Sequence, residues 1–287
     1  MPQWTSAVLA LELASPLHLG NRVAGNWKQT RRYVVGRSVW GAIVDRSARA
    51  KGAQEPDDFR KAQIAVSESI RFSYAFPSTS CEEVTLWPWQ EPAEFDWTYV
   101  NSYASTALVD GHSKEDGSLH ETEYLAPKTR SGQQVYLLVK LWCQSSPDYA
   151  FFDPLTPAFW AGAQIGGEKG YGWGRIRRAH SIPAAADDWM SSAGWTSEPD
   201  SGGVIVKRRN PEKEVSALAH VTASSPVNTE WIGNVEPLLG RETHSHRPGL
   251  KIACAVPAYQ PGSKSCPLTP MAFQITAQGL WTPVPAR

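Results

Sequence analysis

Period-two alternations and short apolar runs dominate this chain, and helical spacing is confined to a few stretches. Thr5–Leu13 (TSAVLALEL) is an apolar run of strand length and predicts the first strand. Ser15-Pro-Leu-His-Leu-Gly20 breaks it. A polar, basic stretch over residues 21–37 then closes on a short strand, Tyr33–Val35. Ser38–Ala50 predicts a helix, with Ser38 as N-cap and Val39, Ala42, Ile43 and Arg46 along one face. Phe59–Ser67 predicts a short helix. Ser69–Phe76 alternates as a strand that Pro77 should stop. Residues 82–97 carry Trp87, Trp89 and Trp97 between prolines and predict irregular structure with aromatic anchors. Further strands are expected over Thr98–Val109, Ser118–Leu125 and Gln133–Trp142. A second helix is expected over Leu155–Ile165, with Thr156 as N-cap and Pro157 at its first position. Gly172–Arg178 then runs into a closing strand.

The order β, α, several β, α, β predicts an α+β architecture with helices on one face of an antiparallel sheet. The simplest case is a ferredoxin-like βαββαβ unit over residues 1–181, with an insertion at 51–97. Ile182–Gly203 is rich in Pro, Ala and Ser and predicts a linker or long loop. Short strands are expected at Val204–Arg208, Ser216–Thr222, Leu250–Val256 and Ala272–Ala277. Residues 182–287 therefore form either a second, degenerate sheet domain or an extension of the first.

With 287 residues, of which 41% are hydrophobic, the chain has enough material for a sizeable core. Its formal net charge is zero, so any nucleic-acid contact has to come from local patches. Cys81, Cys143, Cys254 and Cys266 have no metal-ligand spacing and fit a reducing, cytoplasmic setting. The N-terminus lacks the basic start of a signal peptide, and no apolar run approaches the ~18 residues of a membrane span.

The densest chemical signal is Gly166-Gly-Glu-Lys-Gly-Tyr-Gly-Trp-Gly-Arg175. Its glycines (Gly166, Gly167, Gly170, Gly172, Gly174) alternate with Lys169, Tyr171, Trp173 and Arg175. Glycine lets a backbone approach a ligand closely, and successive free N–H groups cradle anions. Tyr and Trp offer faces for base stacking. The spacing is neither a dinucleotide fingerprint nor a phosphate loop. A glycine-rich hairpin that merely turns is the alternative. From Leu13 through Val44 there are five basic residues (Arg22, Lys28, Arg31, Arg32, Arg37) and no acidic one, which predicts an anion-binding patch. Gly41, inside the first helix, implies close packing on a strand or the close approach of an RNA backbone. His244-Ser-His246 with His220, Cys254 and Cys266 matches no standard zinc spacing, so no metal site and no cofactor are expected.

Two segments, in this order, resemble the repeat-associated RNA-binding (RAMP) superfamily of CRISPR systems. The first is Ser15-Pro-Leu-His-Leu-Gly20 followed by Tyr33-Val-Val-Gly-Arg-Ser-Val-Trp-Gly-Ala-Ile43. It is similar to that family's first strand, loop and helix start. The second is the glycine-rich stretch before a closing strand. Gly117-Ser-Leu-His-Glu-Thr-Glu-Tyr124 adds a resemblance to a step found in subunits of type III effector complexes. Gly233–Arg241 and Tyr259–Ser263 resemble turns of the subunits that cap the five-prime handle of the guide RNA. The resemblance covers roughly residues 5–178 and implies ferredoxin-like (RRM-like) domains.

It also implies the partners: guide RNA (crRNA), other CRISPR effector subunits and, through them, target nucleic acid. The residues implied to contact RNA are Arg22, Lys28, Arg31, Arg32, Gly36, Arg37 and Gly166, Gly167, Lys169, Gly170, Tyr171, Gly172, Trp173 and Arg175. The reading taken is a non-catalytic guide-RNA-binding subunit of a type III-like effector complex, at the five-prime handle; a single-copy backbone subunit and a metal-independent endoribonuclease are the alternatives. The endoribonuclease would use His18, His112 or His120, because imidazole transfers protons near neutral pH. A target-cutting subunit would need a loop Asp, for which only Asp110 offers itself. A sheet-rich scaffold with no RNA role is the remaining alternative.

Overall fold

The computed structural model describes residues 4–106, 108–109, 113–114, 117–144, 153–182, 188–200, 202–223, 231–244, 247–265 and 272–284. The first apolar run forms β1 (Trp4–Leu13). Residues 21–37, expected as a loop, contain a hairpin, β2 (Gly20–Ala24) and β3 (Trp27–Thr30). Tyr33–Val35 is not a strand; Val34 makes a lone bridge to Ala75. The first helix, α1 (Gly36–Ala50), begins two residues early. Val35 is its N-cap, and the Ser38 N–H donates to the Val35 carbonyl at 2.9 Å. Its buried positions Val39, Trp40, Ile43, Val44, Ser47 and Ala48 form one helical stripe.

Helix α2 (Pro56–Ser69) is longer than expected, extended at its start by Pro56 and a capping box of Glu55 and Asp58. The next strand is interrupted as β4 (Ile70–Phe72) and β5 (Phe76–Ser78). Pro77 lies inside β5, on the sheet's edge, rather than ending it. The stretch read as irregular contains α3 (Pro92–Tyr99), held by buried Phe95 and Tyr99. Next come β6 (Val100–Ser105), the small ladder β7 (Leu108–Val109) and β8 (Ser113–Lys114), then β9 (His120–Leu125) and β10 (Tyr136–Gln144). The second helix is one turn, α4 (Pro157–Trp160), because Gly162 turns the chain with φ +75°. Thr156 is its N-cap, as expected. Strand β11 (Ile176–Ile182) closes the unit.

The main sheet runs β11-β1-β10-β4, with β5 on the same edge of β10 as β4, and every pair is antiparallel. Counting β4 and β5 as one interrupted strand, this is the 4-1-3-2 order of a split βαβ, ferredoxin-like unit. A second sheet, β2-β3-β9-β6, stands beside it.

The described residues of the stretch expected as a linker are structured. They hold the turn α5 (Trp189–Ser192) and strand β12 (Trp195–Asp200). Asp188 caps α5 by accepting from the N–H groups of Met190 (2.9 Å) and Ser191 (3.2 Å), and it pairs with Lys140 of β10. Polar composition misled here, since Trp189, Met190 and Trp195 are buried. Further along lie β13 (Gly203–Arg208), β14 (Val221–Thr222), β15 (Trp231–Ile232), β16 (Val235–His244), β17 (Arg247–Tyr259), β18 (Lys264–Ser265), β19 (Ala272–Ile275) and β20 (Trp281–Pro283). Six of these strands join β12 in one seven-stranded sheet, β12-β13-β19-β20-β14-β17-β16.

The main sheet is apolar on both faces, and alternation along β1 sorts its residues. Leu9, Leu11 and Leu13 join a core with Ile43 and Val66 of the helices. Val8 and Ala10 join a second core with Trp142 and with Trp195, Phe273 and Trp281 of the later sheet. No helix among the described residues is long and apolar enough to cross a membrane, and no group of three or more metal-ligating side chains is found among them.

The second core sets a stability prediction. A chain ending at Ile182 would expose Val8, Tyr74, Phe76, Leu138 and Trp142 together, and is expected to lose cooperative thermal unfolding. Trp281→Ala in the full chain should cost about 3–5 kcal/mol in urea denaturation.

Candidate nucleic-acid interface

The two segments singled out by the sequence meet in space. The glycine-rich loop folds over residues 14–19. The Gly167 N–H donates to the His18 carbonyl (2.9 Å), the Gly174 N–H to Pro16 (2.7 Å) and the Arg175 N–H to the Ser15 hydroxyl (2.9 Å). Two glycines are demanded by this packing. A Cβ on Gly166 (φ +83°) would lie 2.5 Å from the His18 carbonyl oxygen, and one on Gly174 (φ +73°) 1.8 Å from that of Ile165. The N–H groups of Tyr171, Gly172 and Trp173 also donate inside the loop. The expected run of free N–H groups is therefore largely spent within the protein. Gly170 faces open space.

Gly36 is corrected as well. It is buried, and a Cβ there would lie 2.5 Å from the Gln278 carbonyl oxygen. This glycine packs α1 onto the turn before β20.

Beside the loop lies a groove of about 270 Å³, lined by Gly20, Ser38, Gly41, Gly166, Gly167 and Lys169. It shares Gly20, Arg31, Val35 and Ser38 with a larger space of about 530 Å³ that reaches Arg37 and Leu239. A Cβ on Gly20 or Gly41 would meet nothing within 4 Å, and neither residue has a positive φ. The α1 N-terminus beside the groove has no acidic residue in its first turn.

The basic patch is not uncompensated, contrary to expectation, because its acids come from distant sequence. Arg32 makes a two-point contact with Asp96 (2.7 and 2.8 Å) and a third with Glu123 (2.7 Å). Arg31 pairs with Glu236 at 2.6 Å and also reaches the Tyr33 hydroxyl. Lys28 lies 3.8 Å from Glu168. The Arg37 guanidinium sits over Trp40 and against Gly240. Arg22, Lys169 and Arg175 are exposed and carry no ion pair among the described residues.

Arg31 belongs to a buried chain of polar groups between the two sheets. Glu236 accepts from Arg31 and from His220 Nε2 (2.6 Å), and His220 Nδ1 accepts from the Tyr74 hydroxyl (2.8 Å). Burial pushes Tyr33 up to about 12 and holds His220 below its ordinary range. For Glu236, burial acts upward but is outweighed by hydrogen bonds from His220 and Arg31 and by the Arg31 charge, which hold it down to about 2. Since His220 is held in this chain, it is no zinc ligand here. His246 and Cys266 lie outside the described residues.

The nominated histidines separate. His18 is buried, with Nδ1 bonded to the Glu123 carbonyl at 2.8 Å. His120 bridges Ser105 (2.9 Å) and the Ser118 carbonyl (3.0 Å). His112 and Asp110 lie outside the described residues.

On the far side of the glycine loop is an aromatic cleft of about 550 Å³, lined by Tyr103, Tyr124, Tyr171, Trp173, His120 and Glu168 among others. Trp173 stands edge-on to Tyr124 at 5.3 Å and to Tyr103 at 6.5 Å. Tyr103 and Tyr124 were not foreseen. Their only signal is an aromatic residue placed in otherwise polar strands.

No family model and no curated protein matches the chain. Among solved structures, it is similar to a chain of the type III-B Cmr-beta complex bound to cognate target RNA, at 10% identity over 91% of this chain and 86% of that one, with a TM-score of 0.48. A chain of the Csm3-Csm4 subcomplex of a type III-A interference complex gives 10% identity over 90% and 92%, TM-score 0.45. A CRISPR protein from Archaeoglobus fulgidus gives 10% over 91% and 90%, TM-score 0.38.

The buried chain makes stability pH-dependent. His220 is harder to protonate when folded, so stability falls as pH drops below about 6.5. Glu236 has a folded value below its unfolded 4.5, so its contribution is present above 4.5 and is lost as pH falls toward 2. Urea midpoints measured from pH 7 to 3 should decline in both windows. Glu236→Gln should flatten the lower one.

Proposed function

We propose that this chain is a non-catalytic guide-RNA-binding subunit of a multi-subunit, type III-like CRISPR effector ribonucleoprotein, holding the RNA at its five-prime handle and packing on neighbouring subunits. The observation that carries the reading is the groove at Gly20 and Gly41. A glycine inside a helix costs about 1 kcal/mol relative to alanine. At Gly41 neither backbone conformation nor packing within the chain requires it. A backbone passing from outside does, and the groove is bordered by the same two segments that resemble the RNA-binding superfamily.

Phosphates are the natural occupants. Lys169, Arg22 and Arg175 supply exposed charge, and the α1 N-terminus adds its dipole. Arg31 and Arg32 are assigned to structure, since carboxylates already hold them. The non-catalytic assignment is supported by the two described histidines nominated as acid or base. His18 is buried, and both nitrogens of His120 are engaged by protein groups.

Gly41→Ala separates stability from function. It should raise unfolding free energy by about 0.5–1 kcal/mol while reducing the RNA retained when the particle is purified from cells carrying a repeat array. Gly41→Leu should abolish retention. Lys169→Glu with Arg175→Glu should weaken binding uniformly across sequences and lower the salt slope by roughly 0.7 per lost phosphate contact. Unchanged retention in all three variants rejects the groove, and cleavage of added repeat RNA by the wild-type chain rejects the non-catalytic reading.

A further inference from the structure

We propose that the aromatic cleft behind the glycine loop holds one unpaired guanine base of the bound RNA. This rests on the RNA-binding reading and adds to it a specific base subsite. Three features of the cleft carry the assignment.

The first is its aromatic lining. Tyr103, Tyr124, Tyr171 and Trp173 come from three separate elements and converge on one space of about 550 Å³, enough for a base and its sugar. Tyr171 is 83% exposed and Tyr103 58% exposed, so both residues are accessible to an incoming ring. Water-exposed aromatic faces are the usual stacking platforms for splayed bases.

The second is charge. No Lys or Arg is among the described residues lining the cleft, and its one formal charge is the Glu168 carboxylate. A phosphate is disfavoured there. The charged ribose-phosphate chain belongs in the groove on the other side of the loop, and an uncharged ring belongs here.

The third is hydrogen-bond polarity. The Ser118 carbonyl accepts from His120 Nδ1, so Nε2 of the neutral ring accepts the Ser105 hydroxyl proton. That leaves Ser105 an acceptor beside the Thr106, Thr122 and tyrosine hydroxyls, which can donate or accept. Glu168 only accepts. Guanine alone among the four bases has two adjacent donors, N1–H and the N2 amine, on its Watson–Crick edge. Adenine and cytosine would set an unprotonated ring nitrogen against the carboxylate, and uracil would set carbonyls there.

The test uses the full chain and two short RNAs, an oligoadenylate and the same oligomer with one central guanine, compared by fluorescence anisotropy. The guanine oligomer should bind roughly tenfold tighter, the scale of a two-point base contact. Glu168→Gln should erase that preference, read as the ratio of the two affinities in the variant, since loss of the carboxylate also alters the charge that either RNA meets. Tyr171→Ala, at an exposed position, should lower affinity for the guanine oligomer severalfold. Equal affinity for the two RNAs in the wild-type chain, or a preference that survives Glu168→Gln, overturns the guanine subsite and leaves RNA binding standing. No affinity for either RNA overturns both. Guanosine monophosphate alone distinguishes a base in a chain from a free nucleotide. It should not compete at concentrations that saturate the RNA, and tight binding of it would overturn the assignment to RNA.

Discussion

Burial of the main sheet on both faces is the constraint from which the other features follow. With period-two alternation, β1 must send Leu9, Leu11 and Leu13 one way and Val8 and Ala10 the other. A slip of one residue would exchange the two sets. Both cores therefore fix the register of β1 against β10 and β11. That register in turn fixes where the chain leaves the sheet at Ala14. The Ser15–Gly20 segment emerges at the position where the glycine-rich loop, anchored by β11, can close over it. The later sheet thus does more than cover a surface. It supplies Glu236 and His220, and through them the partners of Arg31 and Tyr74.

Charge and glycine are each used in two ways. Arg31 and Arg32 are consumed in joining elements far apart in sequence, whereas Arg22, Lys169 and Arg175 project from the surface. Gly36, Gly166 and Gly174 permit contacts that a Cβ would forbid, whereas Gly20 and Gly41 permit nothing inside this chain. The distinction is physical. A glycine required by its own fold is expected to destabilise when replaced, and one kept for an external partner is expected to stabilise.

Much of the frame was legible because it is local. The apolar run of β1, the helical stripe of α1, the Thr156-Pro157 start of α4 and the loop-to-strand step at Gly174 each follow from short-range pattern. What escaped was long-range. Asp96, Glu123 and Glu236 lie 64, 91 and 205 residues from the arginines they hold, so a charge run read along the chain looked uncompensated. The Ile182–Gly203 stretch looked like a linker because its Pro, Ala and Ser outnumber its aromatics. Yet Trp189 and Trp195 anchor it, and Lys140 pins Asp188. The aromatic cleft was half visible, through Tyr171 and Trp173. Its other half, Tyr103 and Tyr124, is placed by pairing between β6 and β9, which no local pattern encodes.

The glycine loop divides its surroundings by polarity. On the α1 side lie a helix N-terminus with no side-chain cap and Lys169. On the β6–β9 side lie aromatic rings, hydroxyl groups, the Glu168 carboxylate, and no Lys or Arg among the described lining residues. The proposed RNA ligand, anionic along its backbone and flat and uncharged in its bases, would match one of its parts to each side. Lys28 and Glu168 face each other at 3.8 Å across this loop. Lys28 lies outside the described lining residues of the cleft, so Glu168 remains the one charged group among them.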